Sequence, residues 1–466
     1  MDQTSQRRCG LGGVIPVVTP SEMAEVDAAA PEPTEVLIER AGAAVAREAL
    51  RMLGGSYGRR VVVIAGRGNN GADGRSAARR LIRRGVSVSV LDATELPPVY
   101  PPADLVIDAA YGTGFRGSFE PPSSGRVPVL AVDIASGVDA LTGLAAGVPL
   151  RAEVTVTFAA LKPGLLLADG PGLCGEVRVV DIGLDVGQRD VGLVTDDDLV
   201  ATWPCRPRTA HKWQSAVWVI GGSPGMTGAP ILATRGVQAC GGGYVRLSVP
   251  GGSAASHAPT EAVMVELPVT RFDEIVMESV DRFGSLVIGP GLGRSAEVSE
   301  SLCRLVRSYR GPMVIDGDGL AALADEEPFS AGTDVVLTPH DGEYERIAGR
   351  PVGDDRIADA RRLAVQRRAV VLLKGPTTVV ANPGGEVALV TSGDQRLATA
   401  GTGDVLAGMI GALLAQGAEL FDAAWMGAHA HGLAGRTCRA VGTTATDVAD
   451  AVPAVLARLL HGSSRS

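Results

Sequence analysis

No run of the 466-residue sequence is apolar enough to span a bilayer. The longest apolar helical candidate, Val405 to Leu414, falls well short of the roughly 20 residues a crossing requires. Positive charge is also scarce: the net charge is −9, and no Lys/Arg block is dense enough to track a phosphate backbone. Aromatics are only 4%, leaving few platforms for base stacking. These shortages exclude a membrane span and argue against nucleic acid as a partner. The six cysteines (Cys9, Cys174, Cys205, Cys240, Cys303 and Cys438) lie far apart, with no C-x-x-C pair and no histidine at zinc-ligand spacing. They read as reduced, packed thiols of a cytoplasmic protein. Arg7 and Arg8 precede an apolar stretch broken by Gly and Pro that has no cleavage site, so residues 1–18 read as a loose arm.

Glycine, by contrast, is abundant: 61 residues, well above the roughly 7% of an average protein. Such a surplus implies many tight turns and close backbone approaches to ligands. Strand-like runs of Val and Ile alternate with helix-like stretches in the first half: Arg60–Ala65, Val86–Leu91, Leu105–Asp108, Val129–Asp133 and Val154–Phe158. That alternation predicts a parallel sheet covered on both faces. The Pro- and charge-rich stretch from Asp196 to His211 marks a junction, with the linker set at residues 201–212. A second strand series follows at Ala216–Ile220, Leu286–Ile288, Met313–Ile315, Val335–Leu337 and Val370–Leu373. The expectation is two three-layer α/β domains, residues 19–200 and 213–466, the first Rossmann-like.

Between the first strand and its helix stands Gly66-Arg67-Gly68-Asn69-Asn70-Gly71-Ala72-Asp73-Gly74, which fits G-x-G-x-x-G, with Asp92 about twenty residues on. Helix-start N–H groups there can hold a pyrophosphate. An ordinary fingerprint has no need of two amides and a carboxylate in this loop. Two further strand ends, at Asp108 and at Asp133 to Ser136, bring oxygen ligands toward the same crevice, suited to ribose and a hard cation. Lys162, in Lys162-Pro163-Gly164, completes the set.

These motifs, in order over about residues 20 to 185, resemble the YjeF N-terminal domain, the NAD(P)H-hydrate epimerase. The resemblance implies a potassium ion on Asn70, Asp108 and Ser136. It implies hydrated nucleotide held by Asn69, Asn70, Gly71, Ala72 and Asp73, by Gly112, Thr113, Gly114, Phe115, Arg116, Gly117 and Ser118, and by Asp133. Arg67 and Ala135 stand where the family usually has Pro, and Ala72 where it has Gly. Inversion at C6 of the hydrated ring needs a group to handle the hydroxyl proton, and Asp133 and Lys162 are the candidates.

The second half carries Gly401-Thr402-Gly403-Asp404 ahead of an apolar helical stripe at 405, 406, 409, 410, 413 and 414. Helix-start N–H groups can stabilise a transferring phosphoryl group, and Asp404 can take a proton from the attacked hydroxyl. Gly221-Gly222-Ser223, Gly289-Pro290-Gly291-Leu292-Gly293, Thr338-Pro339-His340 and Lys374-Gly375-Pro376-Thr377-Thr378 each follow a strand run and should share one rim. His429 and His431, two apart in a helix, point to divergent faces and are no metal pair.

From His211 to about Leu460 these motifs resemble the ribokinase-like superfamily, most closely its ADP- or ATP-dependent NAD(P)H-hydrate dehydratases. That implies hydrate contacts from Ala229, Gly291, Gly293, His340 and Asp404. It also implies adenine nucleotide on Lys374, Gly375, Pro376, Thr377, Thr378 and Gly403, Mg²⁺ alongside the nucleotide, and a homo-oligomer. An epimerase fused to an epimer-selective dehydratase would feed it the other epimer. The alternative is a ribokinase-like vitamin or other small-molecule kinase with a non-catalytic nucleotide-binding first domain.

Overall fold

The computed structural model describes residues 14–253, 257–324, 326–330 and 332–462. It divides into two compact units, Ile15–Val191 and Gly192 onward. The division falls ahead of the 201–212 stretch expected to link them. Residues Asp196–Thr202 of the expected junction form a helix, because Thr195 and Asp198 cap each other reciprocally at its start. Most of the expected N-terminal arm, residues 1–13, lies outside the described residues. Its end is no loose arm: Val17 and Val18 are fully buried, and Val18 N–H donates to the Leu161 carbonyl at 2.8 Å.

The first unit runs β1 (Ile15–Pro16), α1 (Pro20–Ala28), α2 (Thr34–Leu53), β2 (Arg60–Ala65), α3 (Asn69–Arg83), β3 (Ser87–Asp92), β4 (Leu105–Ala109), β5 (Val129–Val132), β6 (Val154–Phe158), α4 (Gly170–Cys174) and β7 (Glu176–Val180). Thr19 and Glu22 close a capping box on α1, with Pro20 at its first position. The sheet order is β3-β2-β4-β5-β6-β7, every pair parallel. Strands β4, β5 and β6 are buried along their whole length, as a sheet covered on both faces requires. Chain order reverses between β2 and β4, so the crevice opens at their carboxyl ends, after Ala65 and Ala109.

The second unit runs β8 (Val191–Leu193), α5 (Asp196–Thr202), β9 (Ala216–Ile220), α6 (Gly228–Ala239), β10 (Tyr244–Ser248), β11 (Ala262–Met264), α7 (Phe272–Met277), β12 (Ser285–Ile288), α8 (Ala296–Ser308), β13 (Met313–Ile315), α9 (Asp318–Ala322), β14 (Val335–Leu337), α10 (Asp341–Ala348), α11 (Arg356–Arg367), β15 (Val370–Leu373), β16 (Thr378–Ala381), β17 (Val387–Val390), α12 (Thr402–Ala415), α13 (Leu420–Thr437) and α14 (Ala445–Gly462). Its sheet order is β8-β17-β16-β15-β14-β13-β12-β9-β10-β11. From β11 to β15 the pairing is parallel, whereas β15-β16-β17 is antiparallel. Here the order reverses between β9 and β12, which gathers the loops after both strands. Helices α6 and α12 touch backbone to backbone. A Cβ on Gly408 would lie 1.9 Å from the Ala233 carbonyl oxygen, and one on Gly236 would lie 2.1 Å from that of Val405. Only glycine permits that approach. Among the described residues, no helix is long and apolar enough to cross a membrane.

Candidate functional sites

In the first unit the loop after β2 turns directly into α3, whose first residues are Asn69 and Asn70. Gly71 is required here: a Cβ would strike the Gly66 carbonyl oxygen at 1.9 Å. Asp108, at the end of β4, is fully buried. Its Oδ1 accepts from Ser136 Oγ at 2.6 Å, and its Oδ2 accepts from Ser136 N–H at 2.9 Å. Burial pushes its carboxyl above the ordinary value, against the hydrogen bonds from Ser136 and Ala110 that lower it. Tyr111 N–H donates to the same Ser136 Oγ at 2.9 Å, and a Cβ on Gly112 would meet Asn70 Cγ at 3.3 Å. The chain Asp108–Ser136–Tyr111–Gly112–Asn70 therefore joins the three expected potassium ligands in one neighbourhood.

Both amide atoms of the Asn70 side chain are buried without a hydrogen-bond partner. The orphaned Oδ1, beside a buried carboxylate and a hydroxyl, fits a hard cation that takes oxygen ligands. Among the described residues, no group of three or more His, Cys, Asp or Glu is arranged for a metal ion.

Asp133 adopts a left-handed backbone, φ 68°, immediately after β5. Its Oδ1 receives Lys162 Nζ at 2.6 Å and Thr157 Oγ1 at 3.1 Å. Lys162 is 1% exposed, and its ammonium also donates to Thr157 Oγ1 at 2.8 Å and to the Phe158 carbonyl at 3.0 Å. Those bonds use all three of its protons. Asp73 sits in the first turns of α3, buried; burial, then the nearby charges of Asp133 and Asp27, push its carboxyl up to about 8. In the loop Gly112–Ser118, Gly112 packs against Asn70 and Phe115 stacks on Tyr111 at 4.2 Å between centroids. Sequence reasoning missed Thr157, Asp27 and Tyr111. Thr157 stood inside the strand that leads to Lys162, but nothing in spacing marked Asp27.

In the second unit α12 begins behind Gly401, φ 93°, which places Gly403 and Asp404 in its first turn. Lys374, at the end of β15, donates from Nζ to Asp316 Oδ1 at 2.9 Å and lies 3.4 Å from Glu343 Oε2. A Cβ added at Gly403 would stand 3.4 Å from the same ammonium. Burial alone would depress Lys374, but Asp316 and Glu343 hold it above its ordinary value. Asp404 is pushed up to about 7 by burial and then by Asp316, with Lys374 opposing. Asp404, Gly403 and Lys374 are thus neighbours.

Ala229 and Gly291 also meet: a Cβ on Gly291 would lie 3.2 Å from that of Ala229, and one on Gly293 would lie 3.4 Å from that of Ser223. His340 is the N-cap of α10, its exposed ring accepting Gly342 N–H on Nδ1 at 3.0 Å while Glu343 caps its backbone N–H. Gly375 is hemmed by Arg356, whose Nη2 donates to the Lys374 carbonyl at 2.9 Å. Asp316 and Glu343 stood inside recognised motifs but received no role from sequence, because their pairing with Lys374 depends on three separate strands. His429 pairs with Asp196 at 2.8 Å, and burial pushes the His431 ring down to about 4.

A family model described as NAD(P)H-hydrate dehydratase matches residues 217–454, and one described as YjeF-related protein N-terminus matches residues 34–99 and 91–164. The bifunctional NAD(P)H-hydrate repair enzyme Nnr of Mycobacterium tuberculosis is 38% identical over 437 residues, 86% of this chain and 89% of that protein. Its counterpart in Salinibacter ruber is 34% identical over 521 residues, 95% of this chain and 96% of that protein. Among solved structures, the ADP/ATP-dependent NAD(P)H-hydrate dehydratase from Bacillus subtilis, co-crystallised with ATP/Mg²⁺, superposes with a TM-score of 0.52 at 29% identity, covering 57% of this chain and 97% of that one. A ribokinase-like superfamily protein from Enterococcus faecalis, at 23% identity and a TM-score of 0.53, supports the fold. The vitamin-kinase alternative gives no account of the N-terminal match. With both halves matched in order and relatives aligned along most of its length, the chain belongs to the family of bifunctional NAD(P)H-hydrate repair enzymes.

Proposed function

We propose that the first unit interconverts the R and S hydrates of NADH and NADPH, and that the second dehydrates the S form at the expense of ADP or ATP. The observation that carries this reading is Asp404, whose carboxyl titrates near neutrality at the start of α12 beside Lys374. A base poised near the working pH is what proton removal from a hydroxyl requires. Asp404 takes the C6 hydroxyl proton as that oxygen attacks the terminal phosphate of the nucleotide. Lys374 stabilises the phosphate charge, with the N–H groups of Gly403 and its neighbours at the helix start. Mg²⁺ bound with the nucleotide supplies further positive charge. Loss of phosphate and of a ring proton then restores the nicotinamide. Ala229, Gly291, Gly293 and His340 line the hydrate side, and Lys374 to Thr378 the nucleotide side.

In the first unit Asp133 accepts the C6 hydroxyl proton, while Lys162, bonded to its Oδ1, keeps it oriented. Asp73, carrying a proton at neutral pH, donates to a substrate oxygen. Asn70, Asp108 and Ser136 would hold potassium, which supplies a fixed positive charge beside the bound nucleotide. Asn69 to Asp73 and Gly112 to Ser118 bind the hydrate.

The test is recovery of reduced-nicotinamide absorbance from a mixture of both NADHX epimers, with nucleotide, Mg²⁺ and K⁺ supplied. Complete recovery supports both activities. A stop at the S fraction reduces the first unit to a binding module, and no recovery with either nucleotide defeats the reading.

A further inference from the structure

The end of β3 carries a group that the mechanism above does not use. Asp92 closes the strand directly opposite Ala65 of β2, and Ala93 N–H donates to the Ala65 carbonyl at 3.2 Å. The chain leaving β2 therefore runs as Gly66-Arg67-Gly68 alongside the Asp92 carboxylate, on the rim of the crevice where chain order reverses. Asp92 Oδ1 is tied to Thr94, accepting its N–H at 2.8 Å and its hydroxyl at 2.7 Å. Oδ2 has no partner among the described hydrogen bonds. Two cations lie within electrostatic reach of this carboxylate, Arg67 from the loop and Arg75 from α3. After the hydrogen bonds from Thr94, they help hold it below its ordinary value. Neither arginine makes an ion pair or a hydrogen bond among the described residues.

In a parallel sheet with a glycine-rich turn after its first strand, the end of the neighbouring strand faces the adenosine ribose of a bound dinucleotide. A carboxylate there reads a free 2′-hydroxyl, and a nearby arginine accommodates a 2′-phosphate. This rim has both. We propose that Arg67 and Arg75 form the subsite that admits the 2′-phosphate of hydrated NADPH, and that Asp92 reads the free 2′-hydroxyl of hydrated NADH in the same place. The proposal rests on the epimerase reading of this unit. Alone, Asp92 would repel a phosphate dianion. The two guanidinium groups reverse that sign and let both hydrates enter.

The test uses the full-length protein with the R epimers of NADHX and NADPHX as separate substrates. No adenine nucleotide is added, which keeps the dehydratase idle, and the S epimer is followed by chromatography. The readout is the ratio of kcat/KM for NADPHX to that for NADHX. In Arg67→Ser/Arg75→Ser the ratio should fall by about tenfold or more, the scale of one lost charge-assisted hydrogen bond. In Asp92→Asn it should rise. Each single arginine variant should move the ratio in the direction of the double variant, so the outcome does not depend on one protein folding. A ratio within about twofold of wild type in the arginine variants overturns the subsite, whatever happens to the separate rates. If wild-type protein epimerises neither hydrate, the epimerase reading fails and the subsite goes with it.

Discussion

Lys374 holds Asp316 across 2.9 Å, and Thr338 Oγ1 donates to the same Asp316 oxygen at 2.7 Å. One ammonium thus neutralises a carboxylate that is almost wholly buried while facing the first turn of α12. Replacing Lys374 by Met strands that charge. The expected cost is about 3–5 kcal/mol, the scale for breaking one side of a buried pair. Thermal unfolding should show the second unit melting earlier and dehydration falling sharply. Epimerisation should stay close to wild type, because it belongs to the other unit.

Asp404→Asn should lower dehydration at least about a hundredfold, the lower range for loss of a general base. The wild-type rate should climb as pH rises through about 7, because only the deprotonated carboxyl can accept the hydroxyl proton. Stability runs the opposite way. The folded chain binds this proton more tightly than the unfolded chain, where the ordinary value is 3.8, so Asp404 loses the folded state free energy as pH rises from about 4 through 7. The asparagine variant should therefore unfold at a higher temperature than wild type at pH 8, and the gap should close in acid. A variant no more stable at pH 8 than wild type would show that the carboxyl is not held near neutrality.

Asp133 combines a charge with a left-handed backbone, and two substitutions separate these demands. Both Asp133→Asn and Asp133→Val should abolish epimerisation and leave Lys162 without its carboxylate. Asparagine tolerates φ 68°, whereas a β-branched residue does not, so the valine variant should be less stable than the asparagine variant by about 1–3 kcal/mol. Denaturant unfolding of the pair measures the difference.

The strands at Arg60–Ala65, Leu105–Ala109 and Val154–Phe158 were legible because runs of Val and Ile buried on both faces leave no other use for such residues. Helix α12 was legible for a similar reason, its apolar stripe starting just after Asp404. The helix at Asp196–Thr202 was not, because a short run led by three aspartates reads as a solvated stretch until Thr195 is seen capping it. At the sites, glycine-rich loops announced themselves locally. The partners of Lys162 and Lys374 did not. Thr157, Asp316 and Glu343 lie 5, 58 and 31 residues from the lysines they serve, and only the order of strands brings the distant ones together.

Asn70→Leu should raise the melting temperature in potassium-free buffer, since each unpartnered buried amide atom costs about 1–3 kcal/mol and the leucine has none. Potassium should stabilise the wild type and leave the variant unmoved, and only the wild type should epimerise faster when potassium is added. Calorimetry at several potassium concentrations decides the point. Equal stabilisation of both proteins would remove Asn70 from the cation site.

Gly408→Ala drives a methyl group into the Ala233 carbonyl, 1.9 Å from its oxygen, and should destabilise the second unit by about 1–3 kcal/mol or more. Gly411→Ala is the comparison, since the nearest atoms to its methyl belong to side chains, Val287 Cγ2 at 2.3 Å first, and not to the backbone, so it should cost less.

The glycine contact between α6 and α12 also links two jobs that a dehydratase could have kept apart. Ala229 stands at the start of one helix and Asp404 at the start of the other, and at Gly236 and Gly408 no side chain stands between the helices to act as a cushion. A change of residue size along either helix moves the pocket wall and the base together. Selection for a bulkier acceptor therefore cannot widen the pocket by tilting α6 without also dragging the base out of register. New specificities on this scaffold should arise from the loops after β9 and β12, where a residue can change without disturbing the helix pair.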